Sequence, residues 1–132
     1  MLFIVWNERI ELGIPILDEQ HRGIVASINT LHYETRHNHG DAVIHPVLRA
    51  LQEYTRLHFD LEERLMRMAG YPSLQDHLVR HQELVARLKA VGLGSDPYAL
   101  LELLREWWLG HINDEDRKYA PWVAKLGPDE IG

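Results

Sequence analysis

The chain has 132 residues, which suits one domain with a single core, so we expect one domain over residues 1–132. Its formal net charge is −6, which argues against extensive nucleic-acid contact, and the lack of cysteine excludes disulfides and thiolate metal sites. No apolar stretch approaches the roughly 18 residues that a membrane span needs, and the apolar residues 2–6 lack a basic leader. The sequence therefore predicts a cytoplasmic protein without a membrane partner.

The first part of the chain predicts an arm followed by a helix. The arm covers Met1 to about Leu17 and contains Gly13 and Pro15, which break helices. Asp18 is a suitable N-cap for the next segment. Apolar residues then recur at three- and four-residue spacing, which predicts a first helix from about Glu19 to His37.

The middle of the chain predicts two further helices. A polar turn at residues 38–41 precedes the second helix, with Pro46 tolerated in its first turn. Residues 70–72, Gly-Tyr-Pro, stop this helix. The third helix covers residues 74–91, and the Gly-Leu-Gly sequence at residues 92–94 ends it.

The last helix has the clearest start signal. Asp96 followed by Pro97 is a typical N-cap and first helical residue, and the helix is expected to run through His111. We expect the tail after Pro121 to be irregular. Strand patterns are nearly absent, so the sequence predicts an all-α fold, an up-down-up-down antiparallel four-helix bundle with an N-terminal arm.

Nine histidines are an unusual number for a chain without a tag-like run, and histidine is a common ligand of transition metals. Residues four apart on a helix share a face. The four candidate clusters, one on each predicted helix, are His21, His58 with Glu62, His77 with His81, and His111 with the carboxylates that follow it. Any one of these pairs is more often a solvated surface pair than a metal site.

Antiparallel packing places all four clusters at one end of the bundle, because they lie at the starts of helices one and three and at the ends of helices two and four. Imidazoles and carboxylates without thiolates suit iron, manganese or zinc. Carboxylates on opposed helices can bridge two metals about 3.5–4 Å apart. The combined pattern therefore favours a binuclear metal site.

The segments that carry these residues resemble the hemerythrin family in its single-domain bacterial form. They are Asp18-Glu19-Gln20-His21, His58-Phe59-Asp60-Leu61-Glu62, His77-Leu78-Val79-Arg80-His81 and His111-Ile112-Asn113-Asp114-Glu115-Asp116. Trp6 in the arm and Tyr119 after the last segment are also similar to the family. The resemblance covers nearly the whole chain and identifies residues 1–132 as one hemerythrin-like domain.

The resemblance implies a non-haem centre of two irons, Fe²⁺ or Fe³⁺, with an oxo or hydroxo bridge. The implied ligands are His77, His81 and His111 for one iron, His21 and His58 for the other, and Glu62 and Asp116 as bridges. The iron with two histidines would keep an open position. The implied partner is dioxygen, bound reversibly for transport, storage or delivery, with no catalytic residue.

Local geometry and the resemblance disagree about the last carboxylate. On a regular helix the partner of His111 is Glu115, four residues on, whereas the resemblance selects Asp116, which lies about 140° away from His111. A widened, π-like turn would reconcile the two. We therefore predict a local irregularity between His111 and Asp116.

Trp108 departs from the resemblance. The family usually has an aliphatic residue three positions before its last histidine ligand, where it lines the oxygen pocket. The indole of Trp108 would either line and narrow this pocket or serve as an ordinary core aromatic. The first alternative predicts an oxygen affinity or autoxidation rate unlike that of the family.

Four functions remain open from the sequence. The first is a reversible oxygen carrier, store or deliverer. The second is a di-iron enzyme that reduces oxygen, peroxide or nitric oxide, and the third is a sensor of oxygen or iron. A metal-free bundle is disfavoured, because it would bury five histidines and two carboxylates without charge compensation.

Overall fold

The computed structural model describes residues 2–90 and 96–131. Its four long helices are Pro15–Arg36 (α1), Gly40–Ala69 (α2), Leu74–Ala90 (α3) and Pro97–Gly110 (α4). A π-helical turn, His111–Asp116, joins α4 to Arg117–Val123 (α5), and the short helix Pro128–Ile131 (α6) follows. The long helices form an up-down-up-down antiparallel bundle, and the described ranges contain no strand, so the predicted fold class is confirmed.

α1 begins earlier than the sequence indicated. Pro15 is its first residue, where a missing N–H costs nothing, and Ile14 is the N-cap. The prediction that Asp18 caps the helix is therefore wrong. Its buried carboxylate lies in the first turn and accepts hydrogen bonds from the backbone N–H groups of Leu12 at 2.8 Å and Gly13 at 3.1 Å. This contact ties the arm to the first turn of α1.

α2 also begins earlier than predicted. Since the helix starts at Gly40, Pro46 lies in the second turn, and its placement in the first turn was wrong. The proline leaves one helical carbonyl without its N–H partner, a loss that the rest of a long amphipathic helix offsets. The predicted stop is confirmed: Gly70 has a φ of +68°, and its N–H donates to the carbonyl of Arg67.

α3 begins at Leu74, as predicted. Its expected end at residues 92–94 lies outside the described residues. The start signal of α4 is confirmed, because Pro97 is its first residue and the Asp96 carboxylate accepts a hydrogen bond from the N–H of Tyr98 at 3.2 Å.

The expectation of an irregular tail after Pro121 is wrong. α5 continues through Pro121 to Val123, and α6 follows at residues 128–131. Tyr119 and Val123 are completely buried against the end of the bundle. This burial stabilises a short helix that local sequence preference alone does not support.

The core consists of two apolar clusters, one on each side of the histidine-bearing level. The larger cluster includes Ile24, Phe59 and Ile112, and the smaller one includes Leu17 and Leu65, together with Tyr119 and Val123. The long helices that contribute to both clusters carry histidines and carboxylates between them, and we call this layer the polar level. Among the helices of the described ranges, none is long and apolar enough to cross a membrane.

Candidate metal centre

The seven side chains predicted to form the site all lie in the interior, and none exposes more than 5% of its surface. They are His21, His58, Glu62, His77, His81, His111 and Asp116. Four helical elements bring them together, since α1, α2, α3 and the π-helical turn each contribute at least one. The structure therefore places every predicted site residue at one level of the bundle.

The side chains form two donor groups that share both carboxylates. The first group contains three histidines with Glu62 and Asp116, and the second contains two histidines with the same carboxylates. Within each group the potential ligand atoms lie within 4.8 Å of one another. The first group consists of His77, His81 and His111, and the second of His21 and His58.

Asp116 faces both groups with different oxygens. Its Oδ1 lies 3.0 Å from Nε2 of His111 and 3.2 Å from Nε2 of His77. Its Oδ2 lies 3.3 Å from Nε2 of His21. A carboxylate in this position has the form of a bridge between two cations.

Glu62 also reaches both groups. Its Oε1 lies 2.9 Å from Nε2 of His58 and 3.6 Å from Nε2 of His81. Its Oε2 lies 4.0 Å from Nε2 of His77. The Nε2 atoms of His21 and His58 are 2.8 Å apart, so the second group is compact.

The π-helical turn decides which carboxylate reaches the site. It spans His111–Asp116, so the predicted irregularity is confirmed. The widened turn brings Asp116 under His111, whereas Glu115 remains nearer the surface. There Glu115 pairs with Nε of Arg80 at 3.2 Å and Nζ of Lys118 at 3.3 Å.

The inner atoms of the two groups are unsatisfied as hydrogen-bonding groups. Within the described ranges no hydrogen-bond partner exists for Nε2 of His77, His81 and His111, for Oε1 of Glu62 or for either carboxylate oxygen of Asp116. Buried polar atoms normally have partners, so such a concentration of unpaired donor atoms fits a metal-binding site. Imidazole nitrogens and carboxylate oxygens fit a pair of divalent transition metals.

Outer partners orient two of these side chains. His58 donates from Nδ1 to Oε1 of Gln20 at 2.7 Å, and His81 donates from Nδ1 to Oε1 of Glu63 at 3.1 Å. A proton on Nδ1 leaves the Nε2 lone pair free for a metal. The ring of His81 is also stacked on Phe59, with centroids 3.6 Å apart.

Both carboxylates are held in their ionised form. Burial and the neighbouring Asp116 act to raise the pKa of Glu62, but the imidazoles of His58 and His81 outweigh them and keep that pKa below its ordinary value. Burial likewise acts to raise the pKa of Asp116, and His111 beside it holds the pKa well below the usual range. The centre therefore offers two anionic ligands.

Burial and the two carboxylates also shift the pKa values of three neighbouring groups, His81, His111 and Tyr119. Burial lowers the pKa of His81 to about 3, so its imidazole is neutral near pH 7. Burial acts in the same direction on His111, but Asp116 leaves the pKa of His111 above its ordinary value. Burial, with Asp116 and Glu62, raises the pKa of Tyr119 well above its ordinary value, so its hydroxyl stays protonated and donates to Glu62.

Sequence reasoning missed the outer partners. Gln20, Glu63 and Tyr119 were not predicted to act on the site, although Gln20 and Glu63 lie directly beside predicted ligands in sequence. Their hydrogen bonds join residues 18 to 57 positions apart. Only the packing of the helices reveals such pairs. The adjacency to a ligand was a signal that could have raised Gln20 and Glu63 as candidates.

Trp108 lies beside the two-histidine group. Only 1% of its surface is exposed. Its ring centroid is 6.2 Å from that of His21 and 6.0 Å from that of His58. The structure thus places it next to the group that has fewer protein donors.

A four-helix bundle whose core holds five histidines and two shared carboxylates has the construction of a carboxylate-bridged binuclear metal protein. The comparison with protein families agrees, because the model of the hemerythrin HHE cation binding domain matches residues 12–123. The chain belongs to the hemerythrin family, and it is a non-haem di-iron protein of the oxygen-binding kind.

Individual relatives support the assignment. The chain is 33% identical over 128 residues to a bacteriohemerythrin of Stenotrophomonas maltophilia, a match that covers 93% of this chain and 83% of the relative. It is 29% identical over 115 residues to a myohemerythrin of Riftia pachyptila, covering 87% of this chain and 89% of the relative. A crystal structure of a hemerythrin mutant superposes with a TM-score of 0.84 at 26% identity, covering 94% of this chain and 99% of the other.

Proposed function

We propose that the seven residues hold two iron ions and that the protein binds dioxygen reversibly as a carrier, store or deliverer. The observation that carries this proposal is the sharing of Glu62 and Asp116 by a five-donor group and a four-donor group. Shared carboxylates fix two metals close together. The unequal donor numbers make the two metal positions chemically different.

The charges of the site support two divalent ions. Two ferrous ions bring four positive charges, and the ionised Glu62 and Asp116 offset two of them. A hydroxide bridge would offset a third and leave a single positive charge among neutral imidazoles. A buried centre with so small a net charge avoids most of the desolvation penalty that an isolated ion would suffer.

The four-donor group supplies the ligand-binding position. It consists of His21 and His58 with the two carboxylates, one protein donor fewer than the other group. Iron sites with few protein ligands keep positions open for exogenous molecules. When bound, a ferrous pair supplies the electrons that dioxygen takes up reversibly. The chain itself supplies the buried setting that keeps water from that position.

The surroundings of this position favour a binding protein over an enzyme. Trp108 packs at the two-histidine side. Phe59 lies between the two groups, stacked on His81 and with its ring centroid 6.0 Å from that of His58. Neither Trp108 nor Phe59 carries a proton that titrates near neutral pH. Catalytic reduction of oxygen, peroxide or nitric oxide consumes protons and needs a positioned donor. Aromatic neighbours without a titratable proton suit retention and release of an unchanged ligand.

The composition of the chain supports the partner assignment. A net charge of −6 disfavours nucleic acid as a partner, and a chain without cysteine fits the reducing cytoplasm. We therefore propose dioxygen as the partner of the iron centre, the cytoplasm as the location of the protein, and a single domain over residues 1–132.

The test is anaerobic reconstitution with ferrous iron, exposure to oxygen and repeated degassing, with optical spectra at every step. We expect two irons per chain and a visible band that appears with oxygen and disappears on degassing. Protein loaded with zinc, which has no redox chemistry, is the control and should show no band. Prompt, irreversible oxidation, or turnover with a reductant, would favour the enzyme or sensor and contradict a carrier.

A further inference from the structure

We propose that the indole N–H of Trp108 donates a hydrogen bond to the small ligand that occupies the open position beside His21 and His58. The proposal rests on the proposed function, since it names a contact made by the exogenous ligand. It makes Trp108 a binding residue that selects for ligands with a hydrogen-bond acceptor. Small molecules that gain or carry negative charge in the site belong to this class.

The first support is position. Trp108 comes from α4 and projects into the core with 1% of its surface exposed. Its ring packs near both histidines of the four-donor group and near Phe59, at centroid distances of 6.0 to 6.2 Å. A ligand entering beside His21 and His58 therefore meets this indole as a neighbour.

The second support is an unpaired donor. Within the described ranges Nε1 of Trp108 is buried and has no hydrogen-bond partner. Buried tryptophan N–H groups usually find a partner, and each exception calls for an explanation. An acceptor supplied by a bound ligand is such an explanation.

The third support is the shortage of internal acceptors beside the ring. The lone pairs of the neighbouring imidazoles are committed, because His58 uses Nδ1 to donate to Gln20 and offers Nε2 to the centre. His21 likewise offers a ring nitrogen to the same donor group. An indole N–H cannot share a lone pair that a metal occupies. Among the described residues Trp108 therefore has no internal acceptor, and a ligand bound beside the ring can supply one.

The preceding residue, Trp107, is a matched control. Trp107 also has a buried Nε1 without a partner among the described residues, and 7% of its surface is exposed. Its ring packs on that of Trp108, with centroids 5.1 Å apart. It lines an outer cleft with Glu106 and Gly110, so it has the same chemistry in a different place.

The experiment replaces each tryptophan in turn by β-(3-benzothienyl)alanine, which keeps the shape of indole but has sulfur in place of N–H. Azide is the probe, because it is a small anion with acceptor atoms at both ends. The iron-loaded, oxidised proteins are titrated with azide and followed by optical spectra. We expect the affinity to fall about tenfold for the position-108 analogue, the loss expected for a hydrogen bond to a charged group. The position-107 analogue should bind as the natural protein does.

A second readout separates donation from packing. The ultraviolet resonance Raman band of indole that responds to hydrogen bonding should shift when azide is added to the natural protein and to the position-107 analogue. It should not shift in the position-108 analogue. The metal-free proteins should melt at the same temperature, since the replacement conserves shape.

The outcomes separate this inference from the proposed function. Equal azide affinity in all three proteins, or a loss at position 108 without the Raman difference, overturns the role of Trp108 alone. A natural protein that takes up two irons but binds neither azide nor dioxygen overturns the proposed function and this inference together.

Discussion

The hydroxyl of Tyr119 donates a hydrogen bond to Oε2 of Glu62, and both side chains are completely buried. The bond links α5 to α2 across 57 positions of sequence. It fixes one oxygen of a carboxylate that both donor groups share. The short helix after the π-helical turn thereby positions a proposed bridging ligand.

Replacing Tyr119 by Phe tests this link. The substitution leaves a buried carboxylate oxygen without its donor, which costs about 1–3 kcal/mol in the free energy of unfolding. Loss of such an outer partner is also expected to weaken iron binding about 10–100-fold. Urea unfolding of the metal-free protein and competition with an iron chelator measure the two effects. Tyr71→Phe, which removes a hydroxyl from the adjoining ring, is the control and should change neither.

The choice between the two adjacent carboxylates is tested by paired substitutions. Asp116→Asn removes a charged oxygen shared by both donor groups, so we expect iron affinity to fall by more than about 100-fold, beyond the usual effect of an outer partner. Glu115→Gln affects a residue that pairs with Arg80 nearer the surface, and the protein should retain two irons. Metal analysis after dialysis measures the difference. Retention of both irons by the Asp116 variant would contradict the proposed ligand set.

Removal of iron should lower the free energy of unfolding, but the metal-free protein should remain folded. Binding to the native state alone adds about 4 kcal/mol at a metal concentration 1,000 times the dissociation constant, or roughly 10–20 °C in melting temperature for a chain of this size. Most helicity should remain, because apolar clusters lie on both sides of the polar level. Circular dichroism melts with and without iron check both points. Iron should shift the melt of the Asp116→Asn protein much less than that of the natural protein, and an equal shift there would place the metal elsewhere.

The sequence predicted the helices and the clusters because both follow from local spacing. The Asp96 cap and the glycine stop at Gly70 depend on neighbours a few residues away, and both were read correctly. The start of α1 was misplaced because Asp18 has the chemistry of a cap but serves the arm instead. The Asp18 carboxylate could either cap the helix or accept hydrogen bonds from the arm, and only the packing of the arm decides between these two roles.

In the site, too, features set by nearby residues could be predicted, whereas contacts between distant residues could not. The irregular turn before Asp116 could be predicted because the family resemblance selects Asp116, which a regular helix cannot present on the same face as His111. The partners of Glu62 and His81 could not, since Tyr119 and Glu63 reach them across helix contacts. α5 was missed for a related reason, as its stability comes from burial and not from helix propensity.

The ion pair between Arg80 and Glu115 joins α3 to the π-helical turn over the three-histidine group. Both residues line two surface clefts: one, of about 280 Å³, also contacts His77, and the other, of about 250 Å³, also contacts His111. Each cleft thus reaches one of these buried histidines beside the ion pair. We therefore expect the pair to restrict a route by which metal leaves the centre.

Arg80→Gln should therefore speed iron loss to a chelator several-fold while leaving equilibrium affinity nearly unchanged, because lowering a barrier accelerates uptake and release alike. Stopped-flow measurement of both rates tests this. The comparison variant is Arg56→Gln, which breaks an exposed pair with Glu53 beside the opening between α2 and α3 that reaches His81. Faster exchange in the Arg56 variant and not in the Arg80 variant would move the route to that opening. A change in affinity at Arg80 would instead show that the ion pair holds the ligands in position.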